Sequence, residues 1–386
     1  MINTGWAVGL MTGTVLDGEI DVALLRSDGE SVFELGPFYT HQYSNATQDV
    51  IRAAVDDASL WNFSGDLPTS FALAETELTL EQSAAVRAAV ANASLSMSDI
   101  SVVGFHGQTV LHRPSTESLS NNKHGRTLQL GDGERMARET GLTVVHNFRS
   151  ADMRQGGQGA PLAPVYHQAL MRAAGMDKGA TIVNLGGISN LTWWDQQQGL
   201  IAFDAGPANA PIDDWVRKKG HGSFDRGGDL GLNGCVDENR LLSVMQYSYF
   251  TDPFPKSLDR QDFENVIQSV TTGLALNDGA ALLAAVCASA IDKGLALLPE
   301  WPERLILCGG GRHNRAIRQE IAVRTGCKVL LAEDVGWRGD AIEAECFAFL
   351  AERVLRSLPT SFPSTTGCRQ SVCGGKVSRA TAEVLD

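Results

Sequence analysis

The sequence is short of several things at once. No stretch carries the roughly 18 uninterrupted apolar residues that a membrane-crossing helix requires, so no membrane span is expected. The first residues show no basic region followed by an apolar core, so no secretory signal is expected. No Cys-x-x-Cys pair occurs. Cys235, Cys287, Cys308, Cys327, Cys346, Cys368 and Cys373 all fall in the second half, and their number is odd. Reduced, mostly buried thiols of a cytoplasmic protein are the expectation, not a disulfide framework. Basic charge is scarce too: 32 Lys and Arg against 45 Asp and Glu give a formal net charge of −13. Nucleic acid and anionic membranes both need basic surface, so neither is expected as a partner. A small anion stays admissible, because a local arginine or a backbone nest overrides the global field.

What is present is enough for two ordinary domains. The chain has 386 residues, 43% hydrophobic and 20% charged, a globular composition. One unit recurs: an apolar strand running into a Gly-rich turn. It appears at Trp6–Gly13, Ser101–Thr109, Thr181–Asn190, Leu200–Gly206 and Arg304–Asn314. The copies fall into two sets, before and after about residue 175. Two α/β domains of related topology, residues 1–175 and 176–386, account for this, with their turns facing a cleft. Ligands of such sheets bind at the C-terminal ends of strands. Helices are expected at Glu81–Ala91, Gly279–Leu298 and Asp340–Leu358, from amphipathic or continuously apolar spacing. The last of these has room to pack back on the first domain. Residues from Pro359 onward are rich in Ser, Thr, Pro and Gly and are expected to be weakly structured.

Five segments carry candidate chemistry. In Gly9–Leu25 an apolar run enters a turn of Gly, Thr and Asp, and a second apolar run leaves it, the pattern of a β-hairpin. Small residues there admit a phosphate chain, and Asp17 and Asp21 suit a hydrated Mg²⁺ bridging to it. The same pattern reads equally well as a surface turn. Asp204, in Phe203-Asp204-Ala205-Gly206-Pro207, ends an apolar strand and is placed to act as a general base; the competing reading is a cap for a helix at Ala210–Lys219. Gly309-Gly310-Gly311 follows a strand and precedes a helix, which suits a nucleotide against the backbone. His106 and Gln108 sit at another strand end; His112 is near, but no Cys or carboxylate joins them at zinc-ligand spacing. Arg149 and Arg154 flank a Gly-rich loop and suit a carboxylate or phosphate, or else a surface ion pair with Asp152. Pro255-Lys256-Ser257 alone says little.

Taken in order, the motifs resemble the anhydro-N-acetylmuramic acid kinase family, of the hexokinase–actin superfold. The resemblance rests on Gly-Leu-Met-Thr-Gly-Thr-Val-Leu-Asp-Gly (9–18), Gly-Phe-His-Gly-Gln-Thr (104–109), Leu-Gln-Leu-Gly-Asp (128–132) and Gly-Gly-Gln-Gly-Ala-Pro-Leu (156–162). It continues through Asn-Leu-Gly-Gly-Ile-Ser-Asn (184–190), Phe-Asp-Ala-Gly-Pro (203–207), Pro-Lys-Ser (255–257), Gly-Gly-Gly-Arg-His-Asn (309–314) and Asp-Ala-Ile-Glu-Ala (340–344). The first loop departs from the family's pattern by an extra Glu19 and by Val15 in place of Ser. Ala205 and Ala208 stand where the family more often has Thr and Gly.

The resemblance implies two actin-like, ribonuclease H-like domains with a nucleotide and sugar cleft between them. It implies the conversion of 1,6-anhydro-N-acetylmuramic acid, ATP and water to N-acetylmuramic acid 6-phosphate and ADP, a step of cell-wall recycling. Asp204 would be the base that activates water, assisted by Glu343. ATP and Mg²⁺ would be held by Gly13, Thr14, Val15, Leu16, Asp17, Gly18, Glu19, Ile20 and Asp21, by Gly186 and Gly187, and by Gly309, Gly310, Gly311 and Asn314. Asp17 would be the metal-organising residue. His106, Gln108, Arg149, Arg154 and Asn209 would meet the sugar, the arginines its lactyl carboxylate. Hinges are expected near 170–180 and 340–358, and a homodimer only from the resemblance. The alternatives are a kinase of the same superfold acting on an ordinary sugar hydroxyl, and a non-catalytic nucleotide-dependent sensor.

Overall fold

The computed structural model describes residues 5–13, 18–114, 125–258 and 262–380. The chain divides into two compact units: unit 1, Met1–Ala173 with Ala341–Asp386, and unit 2, Ala174–Asp340.

Unit 1 opens on β1 (Trp6–Met11) and β2 (Glu19–Ser27), paired antiparallel with Leu10 opposite Val22. The apolar runs flanking the Gly-rich tip therefore do form a hairpin. Next come β3 (Val32–Gln42), α1 (Asn45–Trp61) and α2 (Ser70–Asn92). They are followed by β4 (Ile100–Phe105), β5 (Gln108–Arg113), β6 (Arg126–Leu130) and α3 (Gly133–Thr140). The first segment closes with β7 (Val144–His146), α4 (Ser150–Arg154) and α5 (Pro164–Ala173).

Unit 2 begins with an antiparallel meander of β8 (Ala180–Leu185), β9 (Ile188–Asp195) and β10 (Gly199–Pro207). Helices α6 (Ala210–Lys218), α7 (Asp229–Leu232), α8 (Glu238–Val244), α9 (Glu264–Thr271) and α10 (Leu276–Leu295) lead to β11 (Arg304–Cys308), α11 (Arg315–Thr325) and β12 (Lys328–Leu331). The chain then returns to unit 1 with α12 (Ile342–Leu355), α13 (Pro363–Thr366) and β13 (Lys376–Ser378).

The two main sheets share one plan. Their orders are β13-β7-β4-β1-β2-β3 and β10-β9-β8-β11-β12. Each begins as an antiparallel meander and adds parallel strands on the far side of its first strand, β4 beside β1 and β11 beside β8. This is the ribonuclease H-like, actin-like arrangement, built twice.

Small residues set the packing. Gly9 and Gly104 are register partners on adjacent strands. A Cβ at Gly9 would lie 1.8 Å from the Ala344 carbonyl oxygen, and one at Gly104 would lie 2.0 Å from that of Phe347. These motif glycines let the backbone of α12 lie directly on the sheet. α10 is Ala-rich and buried from Gly279 to Ile291, as its Ala/Leu-rich composition implies.

Residues 360–380 are built into the fold, contrary to expectation. Thr360, Ser361, Thr365 and Thr366 are buried, and β13 pairs antiparallel with β7. A carboxylate explains it: Asp152, 1% exposed, accepts from Thr366 Oγ1 at 2.6 Å, from Ser361 Oγ at 2.5 Å and from Gly159 N–H at 2.7 Å. The hydroxyls that look like loop composition serve to satisfy a buried charge. Among the described residues no helix is long and apolar enough to cross a membrane.

Candidate active site

In unit 2 the site centres on Asp204, 7% exposed near the end of β10. Asn190 stands opposite it in register across the β9–β10 hairpin, and its Nδ2 donates to Asp204 Oδ1. Leu258 N–H donates to Oδ2 at 2.9 Å. The register shifts between Asp204 and Gly206, placing one extra residue, Ala205, just past the carboxylate. Bulges of this kind re-aim side chains beside functional sites. Asp204 caps no helix: Asn209 holds the N-cap position of α6. Burial raises the Asp204 carboxyl to about 6 from the ordinary 3.8, against the opposing pull of the Leu258 and Asn190 hydrogen bonds and the Lys256 charge.

A second layer holds this carboxylate from outside the strand. Asp204 N–H donates to the Lys256 carbonyl at 3.0 Å, and Tyr249 O–H donates to the Asp204 carbonyl at 2.7 Å. Lys256 is buried; its Nζ donates to the Tyr249 carbonyl at 2.6 Å and lies 4.5 Å from the centroid of the Tyr249 ring. Phe254 stacks on Phe203, centroids 5.4 Å apart. The sequence singled out none of Tyr249, Phe254 and Lys256 as site residues. Asn190 had a readable signal, a polar residue placed symmetrically with Asp204 about a short hairpin turn.

Beside Asp204 lies the Gly186–Gly187 turn between β8 and β9. Its carbonyls accept from Asn209 N–H at 3.0 Å and from Ala208 N–H at 3.1 Å, which joins the turn to the end of β10. The three glycines after β11 separate by role. Gly309, at φ 73°, would place a Cβ 2.3 Å from Asn184 Oδ1, and Gly311 one 2.8 Å from Leu185 Cβ. Both are small because β8 packs against them. At Gly310 an added Cβ would meet nothing within 4 Å, so its backbone is open.

Arg312 fixes this turn. Its side chain is 2% exposed; it donates to Asp340 at 2.7 and 2.8 Å, to Glu333 at 2.8 Å and to the Gly309 carbonyl at 3.1 Å. The partners lie 21 and 28 residues away, which hides the clamp from local sequence reading. Asn314 and Asn209 are engaged locally. Asn314 Oδ1 caps α11 through Ile317 N–H, and Asn209 Nδ2 donates to Asp213. Both read in the sequence as ligand contacts; in the structure Asn314 is a buried helix cap, and Asn209 is tied to the first turn of α6.

Unit 1 brings together His106, Gln108, Arg149 and the root of the hairpin. Gln108 Nε2 lies 3.4 Å from the Gly13 carbonyl, and Thr12 Oγ1 donates to the Gly107 carbonyl at 3.3 Å. Arg149 reaches His106 Nε2 at 3.0 Å and the Gly159 carbonyl at 2.8 Å. A guanidinium only donates, so Nε2 accepts and Nδ1 carries the proton, donating to the Gly107 carbonyl at 2.8 Å. Burial, and then the Arg149 charge, hold His106 well below its usual range, so it is neutral. Glu343, exposed in the first turn of α12, interacts electrostatically with Arg149. Arg154 is exposed and makes no ion pair with Asp152, whose carboxylate is enclosed by Ser361, Thr366 and Gly159.

The hairpin expectation divides. Thr14, Val15, Leu16 and Asp17 lie outside the described residues. Gly18 backs onto Gln48. Ile20 is fully buried in the unit 1 core, so its side chain is not a ligand contact. Glu19 and Asp21 are held across the strand pair by β3, through Gln42 at 2.9 Å and Thr40 at 3.1 Å. Among the described residues no three His, Cys, Asp or Glu side chains group around a metal position.

The family model for anhydro-N-acetylmuramic acid kinase matches residues 5–380. The anhydro-N-acetylmuramic acid kinase of Mesorhizobium japonicum is 52% identical over 97% of this chain and 99% of its own length. That of Brucella anthropi is 52% identical over 96% and 98%. Among solved structures, component A of the (R)-2-hydroxyglutaryl-CoA dehydratase of Acidaminococcus fermentans aligns with a TM-score of 0.44 at 12% identity, over 91% of this chain and 98% of that one. By a family match over almost its full length and by relatives sharing half its residues, this chain belongs to the anhydro-N-acetylmuramic acid kinases, phosphotransferases that use ATP and a sugar.

Proposed function

We propose that Asp204 is the base that drives opening of the 1,6-anhydro bond while O6 is phosphorylated. In the anhydro-sugar O6 is bonded to the anomeric carbon and is no free hydroxyl. Six bond changes balance the reaction. Water oxygen bonds to the anomeric carbon and the C1–O6 bond breaks. O6 takes the γ-phosphoryl group and the bond to ADP breaks. The water proton goes to Asp204. The course resembles inverting glycoside hydrolysis, with a phosphoryl group capping the leaving oxygen in place of a general acid.

The observation that supports this most is a carboxylate buried near the end of β10 and held by Asn190 and Leu258, a burial that raises it to about 6. A base poised near the working pH combines the right protonation state with driving force for transfer. Its two hydrogen bonds fix its direction, and the Ala205 bulge places it beside the Gly186–Gly187 turn, which we assign to the phosphates. The open Gly310 backbone is assigned to the adenosine. In unit 1, His106 and Gln108 are assigned to the sugar and Glu343 to orienting water or sugar. Arg149 spends donors on His106 and Gly159, so we assign the lactyl carboxylate to the Arg149–Arg154 segment with the exposed Arg154 as its main donor.

Mg²⁺ takes one or two carboxylates, keeps several waters and neutralises phosphate charge. Glu19 and Asp21 at the hairpin root are engaged by β3, so Asp17 is the hairpin carboxylate assigned to the ion.

The test is Asp204→Asn. It should cut turnover of the anhydro-sugar by on the order of a thousandfold or more, at the upper end for a positioned base, and leave ATP binding nearly intact. A variant that keeps most of its turnover contradicts the assignment.

A further inference from the structure

We propose that Lys256 is a positioning residue for the reaction, keeping Asp204 ionised and in place to take the proton. The inference rests on the reading of Asp204 as the base and deepens it. Three contacts from one short segment converge on this residue. The Lys256 carbonyl accepts from Asp204 N–H at 3.0 Å, Leu258 N–H donates to Asp204 Oδ2 at 2.9 Å, and Tyr249 O–H donates to the Asp204 carbonyl at 2.7 Å. The Lys256 ammonium closes the group by donating to the Tyr249 carbonyl at 2.6 Å, over the faces of Tyr249 and Phe203.

A buried lysine is costly unless its charge is used. This one has a carbonyl and two ring faces as neighbours, which orient it without neutralising it. The nearby charges are few. Burial lowers the Lys256 ammonium to about 8, against the opposing pull of Asp252 in the connecting loop and Asp204 on β10; Asp262, before α9, acts with both on Tyr249. Asn190, the partner of Asp204 on β9, carries no charge. Lys256 is thus the cation that acts on the Asp204 carboxylate among the described residues, and its attraction opposes the effect of burial. Arg is a poor fit for a compact ammonium site but keeps the charge, whereas Met and Gln are one atom shorter, unbranched at Cβ and neutral.

The experiment measures kcat/KM for the anhydro-sugar against pH, at saturating ATP and Mg²⁺, in the wild type, Lys256→Met, Lys256→Gln and Lys256→Arg. Substrate titrations are common to all four and cancel. The two neutral variants should move the acid limb upward by roughly one pH unit, the size of effect an adjacent opposite charge exerts. Their loss should be about fivefold near pH 6, approach tenfold below pH 5, and shrink as pH rises to 8.5. Lys256→Arg should return the limb most of the way to wild type. A uniform loss at every pH, or an unmoved limb in both neutral variants, overturns the proposal; using two of them guards against one that folds poorly. If Asp204→Asn is inactive and the limb does not move, only the Lys256 role fails. If Asp204→Asn is active, the base assignment itself fails.

Discussion

The third strand of each meander lies at the edge of its sheet, and the two edges are treated in opposite ways. In unit 1, β3 is open: of its eleven residues only Gly36 is buried, and Phe33 is 57% exposed. In unit 2, β10 is buried from Ile201 to Pro207. Phe254 stacks on it, the Lys256 carbonyl takes its Asp204 N–H, and Ala290 of α10 packs against Gly206. The same topology thus yields a solvated surface strand and a desolvated one. Carboxylates on or beside β3, such as Glu34 and Asp21, make surface contacts with Arg26 and Thr40. The carboxylate on β10 has its proton affinity raised. Topology supplies the strand end; the covering segment supplies the chemistry.

The comparison can be broken by removing what burial does to Asp204. Its folded value lies above its ordinary one, so the ionised form costs folding energy above about pH 6. That cost is relieved as pH falls through about 6 toward the ordinary 3.8. Asp204→Asn, inactive in turnover, should therefore be more stable than wild type at pH 7.5, by on the order of 2 kcal/mol. The margin should close between about pH 6 and 4 in denaturant melts across pH. A margin that stays constant with pH, or a less stable variant, would show that the carboxyl is not strained by burial.

Uncovering the edge comes next in size. Phe254→Ala removes the ring stacked on Phe203 and should cost about 1.5 kcal/mol, since Phe254 is only partly buried. It should also lower the acid limb of kcat/KM toward the usual carboxylate range, making β10 behave more like β3. The smallest effect belongs to the open edge. Thr40→Val deletes the exposed contact to Asp21 and should change stability by less than about 0.5 kcal/mol. A larger loss there would erase the contrast between the two edges.

Sequence patterns reached the fold well because its signals are local. The runs Trp6–Leu10 and Ile20–Leu25 flank one tip, the strand-turn units end the strands of both sheets, and α10 carries a long Ala/Leu-rich run. Motif glycines were legible as positions but not as roles. Gly9, Gly104, Gly309 and Gly311 are small for packing, and Gly310 alone of the triple-Gly turn faces open space. What stayed hidden depends on partners distant in the chain. Asp152 serves hydroxyls 209 and 214 residues away, and Leu258 N–H reaches Asp204 across 54 residues. Composition alone cannot show that a Ser/Thr-rich tail exists to satisfy a buried carboxylate, or that a Pro-Lys-Ser loop covers a strand edge.

The most direct test of the central claim is the pH dependence of kcat/KM for the anhydro-sugar in the unmodified protein, at saturating ATP. A desolvated Asp204 acting as base predicts an acid limb near pH 6. Activity that holds undiminished down to about pH 4, where an ordinary solvated carboxylate titrates, would contradict it.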